Sequence, residues 1–287
     1  MSPSGAAASQ RIDLPDFLGI GALKAGTTYL DAMLRSHPEV CMPAGLKEVE
    51  FFNRHYDRGA PWYSQKFRGC EGRTKGEISP QYLFDPRASS RIFGLIPRAR
   101  LIVSVRDPVQ RAYSQYKHWV QETAYRKSFD EFLEEHPATV ERGRYFALLR
   151  PYLDCFPRDQ ILIVVFDDLV NQPVQTMQEV YDFVGVDAGH VPSAADEAVN
   201  VSGSPRFHGA YVAAKKVSRW LHDRGGSSVV AATKTLGIGR LFRPRNGAPV
   251  AAPSPESSRR LAEAYSDDVA ALSTLLDRDL TRLWSPT

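Results

Sequence analysis

The chain has 287 residues, of which 43% are hydrophobic, 10% aromatic and 24% charged, an ordinary globular make-up rather than a fibrous, disordered or membrane-spanning one. That length fits one large α/β domain, with or without a lid. The formal charge of +3 gives the whole chain no polyanion-binding character, but residues 201–250 hold nine basic residues, from Arg206 to Arg245, against the single acid Asp223, a local +8 that suits a partner site or a solvated face.

Residues 1–15 are expected to form a disordered tail ahead of one domain over 16–287. The first ten residues are small and polar and lack the basic start and apolar run of a signal peptide. No window approaches the roughly 20 apolar residues of a membrane span. Cys41, Cys70 and Cys155 are far apart in sequence, with no Cys-x-x-Cys pair and no even disulfide framework. That pattern suits a reducing compartment, so the expectation is a cytoplasmic protein with no metal site.

Phe17-Leu18-Gly19-Ile20-Gly21 reads as a buried strand, followed by a glycine-bearing turn and a helix from about 27 to 35. Ser36-His37-Pro38 ends that helix, because the residue before proline is pushed out of the α region. Gly76-Glu77-Ile78-Ser79 is a second strand, 86–95 a helix, and Leu101-Ile102-Val103-Ser104-Val105 the clearest strand of all. Helices follow at about 109–120 and 128–135. A helical stretch near 141–155 leads to the strand Ile161–Phe166 and a helix near 173–184. Apolar strands alternating with helices predict an α/β fold with three layers, a central parallel sheet flanked by helices. From Asn200 the pattern degrades into Gly, Ser, Pro and Arg, and 201–253 is expected to be a basic lid or flexible segment. Ser254-Pro255 then opens an amphipathic C-terminal helix on which Leu261, Tyr265, Val269, Leu272, Leu276 and Leu280 recur at threes and fours.

The first strand runs through Gly21-Ala22-Leu23-Lys24-Ala25-Gly26-Thr27-Thr28 straight into a helix. Strand, loop and helix of this kind aim backbone N–H groups and a positive helix end at one anion. The glycine spacing is that of a nucleotide P-loop, G-x-x-x-x-G-K-[ST], but position 27 is Thr and the lysine stands three residues earlier. The displaced lysine suggests a single 5′-phosphate held by Gly26, Thr27 and Thr28, with Lys24 reaching a group attached to it. The plain alternative is a glycine turn whose lysine faces solvent.

At Lys24-Ala25-Gly26-Thr27-Thr28 the chain resembles the sulfotransferases that use 3′-phosphoadenosine 5′-phosphosulfate (PAPS), in the heparan-sulfate-sulfotransferase-like branch with its many bacterial relatives. The segment matches that family's 5′-phosphosulfate loop, which implies that Lys24, Ala25, Gly26, Thr27 and Thr28 bind the donor. Val105-Arg106-Asp107-Pro108-Val109-Gln110-Arg111-Ala112-Tyr113-Ser114 resembles the family's second motif, which implies that Arg106 and Ser114 bind the 3′-phosphate. Lys47-Glu48-Val49-Glu50-Phe51-Phe52 is similar to its Glu-x-x-Phe-Phe segment, which implies that Glu48 is the catalytic base. The resemblance covers roughly 16–185, and Ile78 departs from it where many animal members carry lysine.

What this implies is a P-loop-like O-sulfotransferase acting without metal on a hydroxyl of a carbohydrate-like or secondary-metabolite acceptor, with PAPS as co-substrate. Lys24 would neutralise the leaving 5′-phosphate and Glu48 would take the acceptor proton. Without the resemblance, Glu48 reads as a surface acid before a buried aromatic pair. His55, seven residues on, is the rival base; His37 and His118 read as structural. Arg111 is expected in a salt bridge with Asp107 or Asp130. Two rivals stay open. One is a P-loop kinase using Asp167 or Asp168 for Mg²⁺. The other is a non-catalytic nucleotide or polyanion binder working through the basic segment, in which Tyr211, Trp220 and Phe242 offer little of the aromatic interleaving that nucleic acid would call for. Oligomeric state stays open.

Overall fold

The computed structural model describes residues 12–123, 125–190 and 250–285. Its centre is a five-stranded, wholly parallel sheet of β1 (Phe17–Gly21), β2 (Val40–Cys41), β3 (Thr74–Ile78), β4 (Arg100–Val105) and β5 (Ile161–Val165), in the order β2-β3-β1-β4-β5. Between and after the strands come α1 (Thr27–Ser36), α2 (Gly59–Ser64), α3 (Ala88–Leu95), α4 (Pro108–Thr123), α5 (Phe129–Glu135), α6 (Ala138–Glu141), α7 (Tyr145–Cys155), α8 (Phe166–Asn171), α9 (Pro173–Val184), α10 (Pro255–Leu276) and α11 (Leu280–Leu283).

Strand side chains alternate between two cores, as a pleat of period two requires. Leu18, Ile20, Leu101, Val103 and Val165 enter the larger core with Phe51, Tyr63, Tyr145 and Tyr265, while Phe17, Ile78, Ile102 and Val164 enter the other with Leu30, Val180 and Tyr181. The three-layer expectation holds. β1 lies between β3 and β4, so the loops leaving the carboxyl ends of these three strands share one rim, where open α/β sheets place their ligands.

Several boundaries differ from those read in the sequence. β3 starts at Thr74, because Asp16 accepts the Lys75 amide through its carboxylate at 2.7 Å and its own amide donates to the Lys75 carbonyl at 2.8 Å. Phe166 begins α8 rather than ending β5. The C-terminal helix stops at Leu276, since Asp277 takes a left-handed φ of 49°, and Leu280 belongs to the separate α11. Asp268 of α10 accepts the amides of Phe146 and Ala147 at 3.0 and 2.9 Å. It thereby caps α7 at its positive end and locks the C-terminal helix onto the domain. Of the segments expected as tail and basic lid, 1–11 and 201–249 lie outside the described residues.

The cysteine reading is corrected. Parallel pairing of Val40 with Thr74 and Cys41 with Lys75 brings the connection before β3 alongside β2. Cys41 and Cys70 then lie with Cα atoms 5.5 Å apart in a disulfide, and Cys155 is the free thiol. Sequence distance was the wrong guide, because strand register sets proximity. The cysteine argument for a reducing compartment falls with it. The cross-link spans 29 residues, so loop-closure entropy gives it about 3–4 kcal/mol. Thermal melts with and without reductant should differ by on the order of 10 °C, and Cys41→Ser should match the reduced protein; coincident melts would refute this. No helix among the described residues is long and apolar enough to cross a membrane.

Candidate functional site

The loop from β1 to α1 is held from below by β4. The Ala22 amide donates to the Ser104 carbonyl at 2.8 Å, and the buried Ser104 hydroxyl donates to the Ala25 carbonyl. Gly26, the residue before α1, has φ of 91°, and a Cβ there would lie 3.0 Å from the Phe166 ring and 3.1 Å from Leu169. Only glycine fits both the backbone and the space. No side chain caps α1 at this residue, which leaves the amides of its first turn, Thr27 and Thr28 among them, for partners outside the helix. Lys24 also takes a left-handed φ, 71°.

The 47–52 segment meets this loop. Lys47 Nζ donates to Thr28 Oγ1 at 2.8 Å and lies 3.9 Å from Glu48 Oε1. Glu48 therefore sits at the mouth of the loop, its side chain partly accessible, while Phe51 and Phe52 directly behind it are buried. Phe51 stacks on Tyr63 with centroids 4.2 Å apart and planes 5° apart. Surface acid before a buried aromatic pair is thus an accurate description of Glu48. His55 packs its ring 5.3 Å from Trp62. An open cleft of about 350 Å³ lies next to these turns, bounded by Asn53, Gln81, Phe84, Asp85, Arg87 and Arg142.

Arg106 follows β4, its guanidinium 4.5 Å over the Phe166 ring. Burial pulls its pKa down from the usual arginine value, and nearby Tyr145, Asp107 and Asp167 partly restore it. An arginine so placed stays charged and gains most from an anion. Asp107 caps α4 by accepting the Val109 amide at 2.8 Å, and Ser114 lies about two turns into that helix. Arg111 departs from expectation. It is fully buried and donates to the Thr139 carbonyl, whereas Asp130 accepts from Ser257 at 2.7 Å and Arg260 at 3.0 Å.

The two acids that resembled a Mg²⁺-binding pair are engaged elsewhere. Asp167 accepts the Trp284 indole N–H at 3.1 Å, and Asp168 forms a two-pronged pair with Arg278, one arm at 2.8 Å. Both tie α8 to the C-terminal helices, which removes the one feature that favoured a kinase. Sequence reasoning missed Ser104 and Lys47. The signal for Ser104 was a lone hydroxyl in an otherwise apolar strand, and for Lys47 its place directly before Glu48.

Residues 14–201 match the sulfotransferase domain family. Mouse heparan sulfate glucosamine 3-O-sulfotransferase 3A1 (Mus musculus) is 34% identical over 183 residues, covering 60% of this chain and 46% of that protein. The human (Homo sapiens) bifunctional heparan sulfate N-deacetylase/N-sulfotransferase 3 is 34% identical over 195 residues, 60% of this chain and 22% of that protein. The chain thus spans about half or less of the length of these curated relatives. The crystal structure of a sulfotransferase from Alicyclobacillus acidocaldarius superimposes with a TM-score of 0.71 at 24% identity, over 96% of this chain and all of that one, which shows a shared fold. With the family match covering well over half of its length, this chain belongs to the sulfotransferase domain family.

Proposed function

We propose that the chain transfers a sulfuryl group from PAPS to a hydroxyl of a carbohydrate-like or secondary-metabolite acceptor, without a metal. The observation that carries the reading is the Lys47 contact, which joins Thr28 of the phosphate loop to the neighbourhood of Glu48. Donor site and base are thereby within one side chain's reach. The uncapped start of α1 and the glycine-only turn at Gly26 fit a phosphate, and Arg106 with Ser114 fits a second one farther along the rim.

PAPS supplies the activated sulfuryl group. The acceptor oxygen forms a bond to sulfur as the bond from sulfur to the 5′-phosphate oxygen breaks, in a loose in-line displacement governed by positioning and charge. Glu48 takes the acceptor proton. Lys24 meets the negative charge that grows on the departing phosphate oxygen, and Lys47 presents a second ammonium from the acceptor side. The acceptor would lie along the cleft beside Asn53, Gln81 and Arg142. The curated relatives named as heparan sulfate sulfotransferases make glycan hydroxyls the first acceptors to try.

Calorimetric titration with adenosine 3′,5′-bisphosphate in metal-free buffer should show saturable binding. Incubation with PAPS and a panel of heparan-type oligosaccharides, glycolipids and glycopeptides should then yield a sulfated product. Failure to bind either nucleotide ends the reading. Binding of ATP that depends on Mg²⁺ would return the kinase, and salt-sensitive binding of heparin without turnover of PAPS would favour a non-catalytic polyanion binder.

A further inference from the structure

We propose that Glu77 is the positioning residue for Glu48, a role that rests on reading Glu48 as the base. Its buried carboxylate fixes the three backbone amides that follow Glu48, that of Val49 directly and those of Glu50 and Phe51 through the hydroxyls of Ser79 and Tyr82. Glu77 lies in β3 with no exposed surface. Burial pushes its pKa up, and four donors oppose that shift. Tyr82 Oη and Tyr63 Oη donate to Oε1 at 2.6 and 3.0 Å, Ser79 Oγ donates to Oε2 at 2.6 Å, and the Val49 amide donates as well.

Two of those hydroxyls also accept. Ser79 Oγ takes the Glu50 amide at 2.9 Å and Tyr82 Oη takes the Phe51 amide at 2.8 Å. A hydroxyl has one proton. Donating it to Glu77 turns the lone pairs toward the amides, so polarity runs one way, from the Glu50 and Phe51 amides through the hydroxyls into the carboxylate. The amides need this, since Glu50 has a left-handed φ of 52° and opens a π turn at Phe51–His55 instead of continuing a regular ladder. Three successive N–H groups, one on the carboxylate and two on hydroxyls that donate to it, form an anion-binding concavity filled from within. An isolated buried carboxylate is a poor source of stability, whereas this one sets the path of the chain directly after the candidate base.

Glutamine at position 77 keeps the shape but replaces one accepting oxygen with a donor, which forces a hydroxyl proton toward an amide N–H. Glu77→Gln and Tyr82→Phe should therefore lower kcat by about 10–100-fold through misplacement of Glu48, with bisphosphate affinity unchanged. Exchange of the 49–51 amides should quicken by about tenfold, the loss of one hydrogen bond. Tyr63→Phe, whose hydroxyl reaches Glu77 but none of those amides, should change both by less than about threefold. In a Glu48→Gln background, Glu77→Gln should add almost nothing further. Retained kcat and amide protection in Glu77→Gln, or full additivity with Glu48→Gln, would overturn the proposal. Tyr82→Phe carries the test if Glu77→Gln does not fold. A wild-type protein that neither binds nor turns over PAPS would sink the sulfotransferase reading alone, because amide exchange still reports on Glu77.

Discussion

Replacing Glu48 with glutamine should lower kcat by about 10²–10⁴-fold, the range that general-base help supplies, while leaving affinity for adenosine 3′,5′-bisphosphate nearly unchanged. The carboxylate is next to Lys47, whose ammonium touches the phosphate loop, and glutamine keeps the size and most hydrogen bonds while losing the proton acceptor. His55→Ala provides the contrast. Its ring rests on Trp62, so its loss should affect packing more than proton transfer. Full activity in Glu48→Gln together with a collapse in His55→Ala would reverse the two roles.

Much of this arrangement was legible because it is local. An apolar five-residue run, a glycine-bearing turn and a helix in direct succession specify a strand leading through a tight turn into a helix, and β1, Gly26 and α1 follow that pattern. β4 and β5 are apolar on both faces because both faces are covered. Contacts that depend on register were not legible. The Cys41–Cys70 disulfide exists because two short strands pair in parallel. Ser104 supports the phosphate loop because β4 lies beside β1, 79 residues away from Ala25 in sequence. Arg111 goes to a carbonyl of α6 rather than to an acid, which no spacing argument anticipates. The irregular turns over Phe51–Ser64 escaped because their helices are too short to show a period.

These two classes of contact divide the labour at the rim. Groups that would touch the nucleotide come from short motifs at strand ends. The groups that hold those motifs in place, Ser104 beneath Ala25 and Glu77 beneath the 49–51 amides, come from inside neighbouring strands. Functional groups can therefore stand on loops and still be fixed, because each loop is tied to the sheet by a buried polar side chain in addition to its backbone hydrogen bonds.

Lys24→Ala should cost about 10²–10³-fold in kcat, as expected for removing a group aimed at developing charge, and less than about tenfold in bisphosphate affinity. The asymmetry follows from timing. On the proposed reading the amides of α1 and Arg106 would still hold the product nucleotide, so the lost ammonium is missed mainly while charge develops on the departing oxygen before solvent can share it. Ser114→Ala should show the opposite split, with weaker nucleotide binding and a smaller change in kcat at saturation. The backbone at Lys24 adds a second expectation. Its φ of 71° is a conformation that costs a non-glycine residue on the order of 1 kcal/mol or more. Lys24→Gly should thus melt higher than Lys24→Ala while being equally inactive. Activity lost with stability gained would mean that the loop keeps a strained lysine for its charge; a glycine variant that melts lower and still turns over PAPS would remove Lys24 from the reaction.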